Sequence, residues 1–408
     1  MTLLVVSFLL RAGAVLALRD PFQVHRPETN PDGVLYHRMA VHLLRGHGYE
    51  SVITEGQPTR YWMPGFPLLL AGTYYVAGER PVVVYFSLCL LGAVTCLVTY
   101  FLGRELRGEA FGRTSGVLCA IYFPHIYLAS LFLSENLYAL LVGAAAFFAV
   151  RYLKQRRGRD LAASALTTGL GILTRPFLLL GAILFAGWLL LRAKGAGLAR
   201  WAAPAYLLAV LAVLSPWVVR NYLLDGRLVI LTTGKGATFY GANNDRVLRD
   251  VRAWGTWLEI WDPVIGIEDE WLRDRVWWEH GLRWARENWQ WFLVLTLART
   301  VRFWLPEFGS PNRAFVLSQL VTYTPFLVLF IAGLSGLRRQ AQRERDRWAP
   351  IHAFVLASVV AGAIFWAAAR FRDGNAPLLM VYAAMGAEHM MHCVRKQTNT
   401  MARSAQAI

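Results

Sequence analysis

The sequence predicts an all-α polytopic membrane protein of about ten transmembrane helices, with amphipathic helices in its outer loops, and three observations predict it. Of the 408 residues, 56% are hydrophobic and 17% charged, with a mean hydropathy of +0.38, a balance that excludes an ordinary soluble enzyme. Apolar runs near the length of a bilayer crossing recur along the chain. The Lys and Arg residues fall in short clusters between those runs, where they orient a membrane protein. The net charge of +16 is therefore a topological signal and does not point to nucleic acid.

Candidate spans lie at 1–18, 81–103, 114–133, 136–153, 161–175, 176–192, 201–219, 316–336, 350–369 and 376–391. The first lacks a basic leading region and a small-residue cleavage site, so it reads as an uncleaved span and not as a signal peptide. Four basic loops separate the others: Arg104/Arg107/Arg113, Arg151/Lys154/Arg156/Arg157/Arg159, Arg192/Lys194/Arg200 and Arg338/Arg339/Arg343/Arg345/Arg347. All four are cytoplasmic by the positive-inside rule. One alternation satisfies them together, with the N-terminus inside, segments 19–80 and 220–315 outside, and the tail 392–408 inside. The organisation that follows is a first span, an outer segment 19–80, a bundle 81–219, an outer segment 220–315 and C-terminal spans 316–391.

Two further apolar stretches, 65–78 and 291–305, would invert everything after them if they crossed. Each is too short to span, and the second carries Arg299 and Arg302 among aromatic residues, so both read as amphipathic helices at the outer interface.

Ionisable side chains at membrane depth cost about 2.5–3.5 kcal/mol on insertion scales and are functional candidates. On this topology the outer boundary collects Glu135 in SLFLSENLYALL, Arg175 in GILTRPFLLL, Arg220 with Asn221 in WVVRNYLLDG, and Arg370, Arg372 and Asp373 in AARFRDGNAP. Singly, each arginine reads equally well as a snorkelling side chain. Together they imply an anion, and the planar donor fork of arginine suits phosphate. Glu135 either orients one of these arginines, binds a sugar hydroxyl, or pairs structurally at a helix turn.

In the first outer segment Asp32 opens a helical pattern through Leu35, Met39 and Leu43, either as a cap or as a carboxylate held just above the bilayer. Gly46, Gly48 and the run Pro64-Gly65-Phe66-Pro67 mark turns around Trp62. His25, His37, His42 and His47 invite a metal reading. The five-residue step from His37 to His42 puts those two on different helix faces, and there is no HxxxH or CxxC. A divalent metal is thus not indicated, and no cofactor is assigned. The four cysteines, Cys89, Cys96, Cys119 and Cys393, read as small apolar fillers. Asn243 and Asn244, in a Gly-rich outer stretch, either touch an acceptor or make a turn.

With these residues in place the chain resembles the C superfamily of membrane glycosyltransferases, especially bacterial relatives of protein O-mannosyltransferase and of the lipid A aminoarabinose transferase. The likeness rests on ordered motifs: DGVLYHRMAVHLLRGHGY, PTRYWMPGFPLLLAG, LSENLYALL, ILTRPFLLL, SPWVVRNYLLDGRLVILTTGKGATFYGANN and ARFRDGNAPLLMVYAAMG. The resemblance implies a multi-pass cell-membrane enzyme with its site on the extracytoplasmic side. The donor would be a sugar linked to polyprenyl phosphate, and the acceptor a glycan, lipid or protein. Asp32 takes the position of the family's catalytic base. Arg60, Arg175, Arg220, Arg370 and Arg372 become candidates for the phosphate, and Glu135, Asn243 and Asn244 for sugar or acceptor. Two departures stand out. Trp62 and Met63 occupy places where many relatives have a basic residue and a proline, leaving Arg60 as the nearest base. Many relatives also pair two acids in the first loop, where Asn30-Pro31 here precede a single Asp32. The competing functional class is a transporter or lipid flippase, which inverted repeats and broken central helices would favour.

Overall fold

The computed structural model describes residues 1–23, 31–50, 56–192, 199–306 and 313–406. His25, Asn30 and Lys194, singled out above, lie outside the described residues. The described chain is helical, in the order α1 Thr2–Leu18, α2 Pro31–Leu44, α3 Gly65–Ala77, α4 Pro81–Arg107, α5 Glu109–Ile121, α6 Phe123–Leu128, α7 Glu135–Gln155, α8 Gly158–Ile172, α9 Leu178–Arg192 and α10 Ala202–Asp225. It continues through α11 Lys235–Ala242, α12 Asp245–Arg249, α13 Glu270–Glu287, α14 Trp289–Trp304, α15 Arg313–Arg338, α16 Gln342–Asp346, α17 Ala349–Ile364, α18 Ala369–Asp373 and α19 Ala376–Gln406.

Helices α4, α7, α10 and the part of α15 from Gln319 onward are long and apolar enough to cross a membrane, and α1, α9 and α17 are shorter apolar helices. The polytopic helical membrane fold expected from composition is therefore the fold observed. At 1.5 Å per residue the 13 residues of α3 reach only about 20 Å, short of a hydrocarbon core of about 30 Å. One element differs from the sequence reading. The span expected over 114–133 is broken into α5 and α6, with Tyr122 extended between them and Pro124, which has no N–H to give, in the first turn of α6.

The main core is formed by α4, α5, α7, α8, α9, α10, α15, α17 and α19, and much of it is alanine: Ala145, Ala146, Ala149, Ala165 and Ala182 are all fully buried. Between apolar helices in a membrane, close approach of backbones replaces the hydrophobic drive that water supplies elsewhere. The tightest case joins α15 to α19. A Cβ on Gly333 would collide with the Tyr382 carbonyl, and one on Gly386 with the Leu329 carbonyl.

The four basic loops gather at one end of this bundle. Arg107 pairs with Glu388 at 3.2 Å, Lys154 with Glu105 at 3.1 Å and Arg192 with Asp346 at 3.0 Å. At the other end the start of α7, the α8–α9 turn and α18 come together under α2. Segments expected to share a side are thus neighbours in space.

Candidate active site

Four chain segments converge at that second end. Helix α2 begins at Pro31, a residue suited to a first helical position, so Asp32 sits inside the first turn, where the helix dipole favours an acid. Its Oδ2 accepts a hydrogen bond from Arg370 Nη2 of α18 at 2.9 Å. Arg370 Nε faces Glu135 Oε1, at the start of α7, at 3.4 Å. The same Glu135 oxygen pairs with Arg175, from the α8–α9 turn. Asp32, Arg370, Glu135 and Arg175 therefore form one chain of alternating charges. Within it the Asp32 side chain is 35% exposed and Glu135 only 1%, so Asp32 can meet a substrate from outside while Glu135 holds the arginines from below.

Local structure fixes each arginine. Arg175 N–H donates to the Gly171 carbonyl at 2.7 Å, and Pro176 then ends that backbone run. The turn is also tied to segment 19–80, because Gly65 N–H donates to the Leu173 carbonyl at 2.8 Å and a side chain at Gly65 would strike Thr174 and Leu173. Phe371 lies between the two cations, its ring 5.1 Å from the Arg175 guanidinium and 5.4 Å from that of Arg370. Trp366, whose ring packs edge-on against Phe371 at 4.6 Å, lies 5.5 Å from Arg370. Burial opposes the charge on Arg370, but Asp32 and Glu135 outweigh it and raise its pKa above the usual range. One turn after Asp32, the Tyr36 hydroxyl is pushed up by burial, with Asp32 and Glu135 adding to the effect and Arg175 opposing it.

The other arginines expected at a phosphate lie elsewhere. Arg60 makes two hydrogen bonds of 2.8 Å to Asp225. Arg220 donates to the Thr59 and Tyr49 carbonyls at 2.7 and 2.8 Å and stacks on Trp217. Both belong to a hub around Glu270, which accepts from Thr59 Oγ1 and Thr233 Oγ1 at 2.6 Å and from Arg60 N at 2.9 Å. The hub fastens segment 19–80 to segment 220–315. Tyr61 lies between hub and site: burial raises its pKa first, then the charges of Glu259, Asp274, Asp32 and Glu270. Arg372 is fully buried on Asp373 at 2.8 Å, on the Leu305 carbonyl at 2.8 Å and over the Tyr323 ring at 3.6 Å.

Asn243 and Asn244 make turns. Asn243 bonds to the Phe239 carbonyl and to Arg299, and Asn244 caps α12 through Val247 N–H. Arg299, read from the sequence as an interfacial side chain, is fully buried in the structure. It donates to the carbonyls at the end of α17 and to that of Ala242. Arg299 shares the inward face of α14 with Leu295 and Phe303, which accounts for its depth. His37 is bonded to Tyr74 at 2.6 Å while His42 faces Glu50 at 3.6 Å, so these histidines have separate partners. Among the described residues no group of three or more His, Cys, Asp or Glu is placed to hold a metal ion.

Sequence reasoning missed Glu270 and Phe371, which no span pattern marks. It also missed Arg11, the one charge within Thr2–Leu18, fully buried on His125 at 2.9 Å and the Ser7 carbonyl at 3.0 Å. Scanning the spans themselves for lone charges would have found it.

One buried acid of segment 220–315 carries a pH prediction. Asp274 of α13 accepts from Gly236 N–H at the start of α11 at 2.6 Å, and burial pushes its carboxyl up to about 7. Its pKa is raised on folding, so the folded state binds the extra proton between about pH 4 and 7, and stability falls as pH rises through that window. Asp274→Asn keeps an acceptor for Gly236 and removes the charge. Relative to the native chain, the variant is expected to gain thermal stability in detergent between pH 5 and pH 8, by on the order of a few kcal/mol. Parallel melting curves of the two proteins at both pH values check this.

Residues 57–219 match the family model described as dolichyl-phosphate-mannose-protein mannosyltransferase. That stretch contains Arg60, Glu135 and Arg175. No curated protein matches the chain. Among solved structures, the oligosaccharyltransferase AglB from Archaeoglobus fulgidus, in complex with an inhibitory peptide and a dolichol-phosphate, aligns over 98% of this chain and 51% of its own, at 14% identity and a TM-score of 0.58. The Archaeoglobus fulgidus oligosaccharyltransferase in complex with Zn and sulfate aligns over 99% of this chain and 51% of its own, at 15% identity and a TM-score of 0.57. ArnT from Cupriavidus metallidurans bound to undecaprenyl phosphate is more distant, with 12% identity over 95% of this chain and 77% of its own and a TM-score of 0.47. The chain spans about half the length of the archaeal structures it matches. Its fold is that of the archaeal oligosaccharyltransferase, and residues 57–219 match the sequence pattern of the family described as dolichyl-phosphate-mannose-protein mannosyltransferase.

Proposed function

We propose that this chain is a membrane glycosyltransferase that moves a sugar from a polyprenyl-phosphate-linked donor to an acceptor hydroxyl at the extracytoplasmic face of the cell membrane. The observation that carries the reading is the convergence of Asp32, Glu135, Arg175 and Arg370 from four chain segments at the end of the bundle opposite the basic loops. The family matched over 57–219 is named for a lipid-phosphate sugar, and AglB was solved with a dolichol-phosphate, which supports the donor class. A lipid-borne donor also explains a site at the edge of the bilayer.

In the reaction Asp32 takes the proton of the acceptor hydroxyl, whose oxygen attacks the anomeric carbon. The bond from that carbon to the phosphate oxygen breaks with inversion, and its electron pair leaves on polyprenyl phosphate. Arg175 and Arg370 neutralise the departing charge, the point in the reaction where fixed positive groups are worth most. Glu135 holds both guanidinium groups in place, and Arg60 and Arg220 hold the outer segments over them. The acceptor is a hydroxyl on a glycan, lipid or protein.

The direct test supplies the full chain in proteoliposomes with a polyprenyl-phosphate sugar and a cell-envelope extract, and follows release of free polyprenyl phosphate. Release coupled to a new glycoside is the expected result, and intact donor with every sugar tried would overturn the reading. Sidedness is tested separately. A reporter inserted after Gly266 is expected to read external and one after Arg157 cytoplasmic. A cytoplasmic signal at Gly266 would place the site on the wrong face for a lipid donor turned outward.

A further inference from the structure

We infer that Arg370 is the resident cation of the Asp32–Glu135 carboxylate pair, standing where a divalent ion would have to stand, so that the site works without a divalent metal. This rests on the glycosyl-transfer reading above and specifies how the site manages charge. Two carboxylates that approach one another need a cation or a shared proton between them. Here Arg370 Nη2 lies 2.9 Å from Asp32 Oδ2, and Nε of the same planar group lies 3.4 Å from Glu135 Oε1. The two acids therefore meet two edges of one guanidinium.

Arg175 adds a second cation on Glu135, so two carboxylates already face two fixed positive charges. A divalent ion placed among them would add two more positive charges beside the arginines. It would also want about six oxygen ligands, while one oxygen of each carboxylate, Asp32 Oδ2 and Glu135 Oε1, is already paired with arginine. Arg370 is not a loose surface side chain: Trp366 and Phe371 hold its guanidinium at 5.5 and 5.4 Å. Its Nη1, which neither acid engages, is left to meet the donor phosphate, a contact a metal would otherwise provide.

The test is a titration of the purified full chain with Mn2+, followed by the electron paramagnetic resonance of the free ion. It needs no glycosyl transfer. The native protein is expected to show no Mn2+ binding that Asp32→Asn abolishes. Arg370→Ala should open an Asp32-dependent Mn2+ site that disappears in the Arg370→Ala/Asp32→Asn double variant, while Arg370→Lys, which keeps a charge, should remain without one. Asp32-dependent Mn2+ binding by the native protein would overturn the inference, and so would its absence in a folded Arg370→Ala. If Arg370→Ala does not accumulate, the comparison of native protein with Asp32→Asn decides alone. In the transfer assay, a chelator should change the native rate by less than about twofold; a tenfold loss reversed by Mn2+ would sink the metal-free site while leaving glycosyl transfer intact.

Discussion

Asp32→Asn is expected to accumulate in the membrane like the native protein, to retain the lipid-phosphate sugar, and to transfer it at least about a hundredfold more slowly. Asparagine is the discriminating substitution because it suits the first turn of a helix and still offers Arg370 an oxygen, yet it takes no proton at neutral pH. A residue that only steadied the start of α2 would contribute about 0.5–2 kcal/mol to stability and nothing to chemistry. A general base contributes about 10²–10⁴ in rate. The loss should fall on the chemical step, with donor binding kept, because Arg175 and Arg370 both remain on Glu135. Asp32→Glu should lie between the two, having the right group at the wrong reach. Near-normal transfer by the Asn variant would remove Asp32 from the chemistry and leave Glu135 as the only other carboxylate of the cluster.

The spans and their turns were legible because membrane insertion is governed by terms local in sequence, apolar length and flanking charge. The turns at Glu135 and Arg175 were placed on one side by that logic alone, and the two meet in an ion pair. Pairing across the fold was not legible. Asp32 and Arg370 are 338 residues apart, and Arg60 and Asp225 are 165 apart. The sequence brings four arginines to one boundary and adds Arg60 from the first loop, but does not say which will find a carboxylate facing a substrate and which a carbonyl in the interior. That choice depends on rotation about the helix axes. Arg370 and Arg372, two residues apart, point to different surroundings, one to Asp32 and the other to Asp373 and the Tyr323 ring. The break at Pro124 was legible in principle, since the proline is visible, but uniform hydropathy across 114–133 outweighed it.

That division among the arginines supplies the second large effect. Arg175→Ala is expected to leave a folded protein in the membrane and to slow transfer by about 10²–10³-fold, the usual result of removing one donor aimed at developing negative charge. Folding should survive because Glu135, though nearly fully buried, keeps Arg370 as a partner, and the turn itself is held by backbone bonds to Gly171 and Gly65. Arg175→Lys should recover part of the rate, since the charge returns without the planar fork. Arg372→Ala is the contrasting case. It takes the counter-charge from the buried carboxylate of Asp373, which keeps only neutral support such as the Tyr122 hydroxyl, and leaves the Leu305 carbonyl without its guanidinium, the kind of change that costs about 3–5 kcal/mol. Its protein should therefore accumulate poorly, so that low transfer in membranes reflects low abundance. Dividing the transfer rate by the amount of protein in the membrane separates the two. A per-molecule rate close to native for Arg175→Ala would take the leaving phosphate away from this turn. Failure of Arg175→Ala to accumulate, alongside Arg372→Ala, would instead make the arginine at the α8–α9 turn a structural strut.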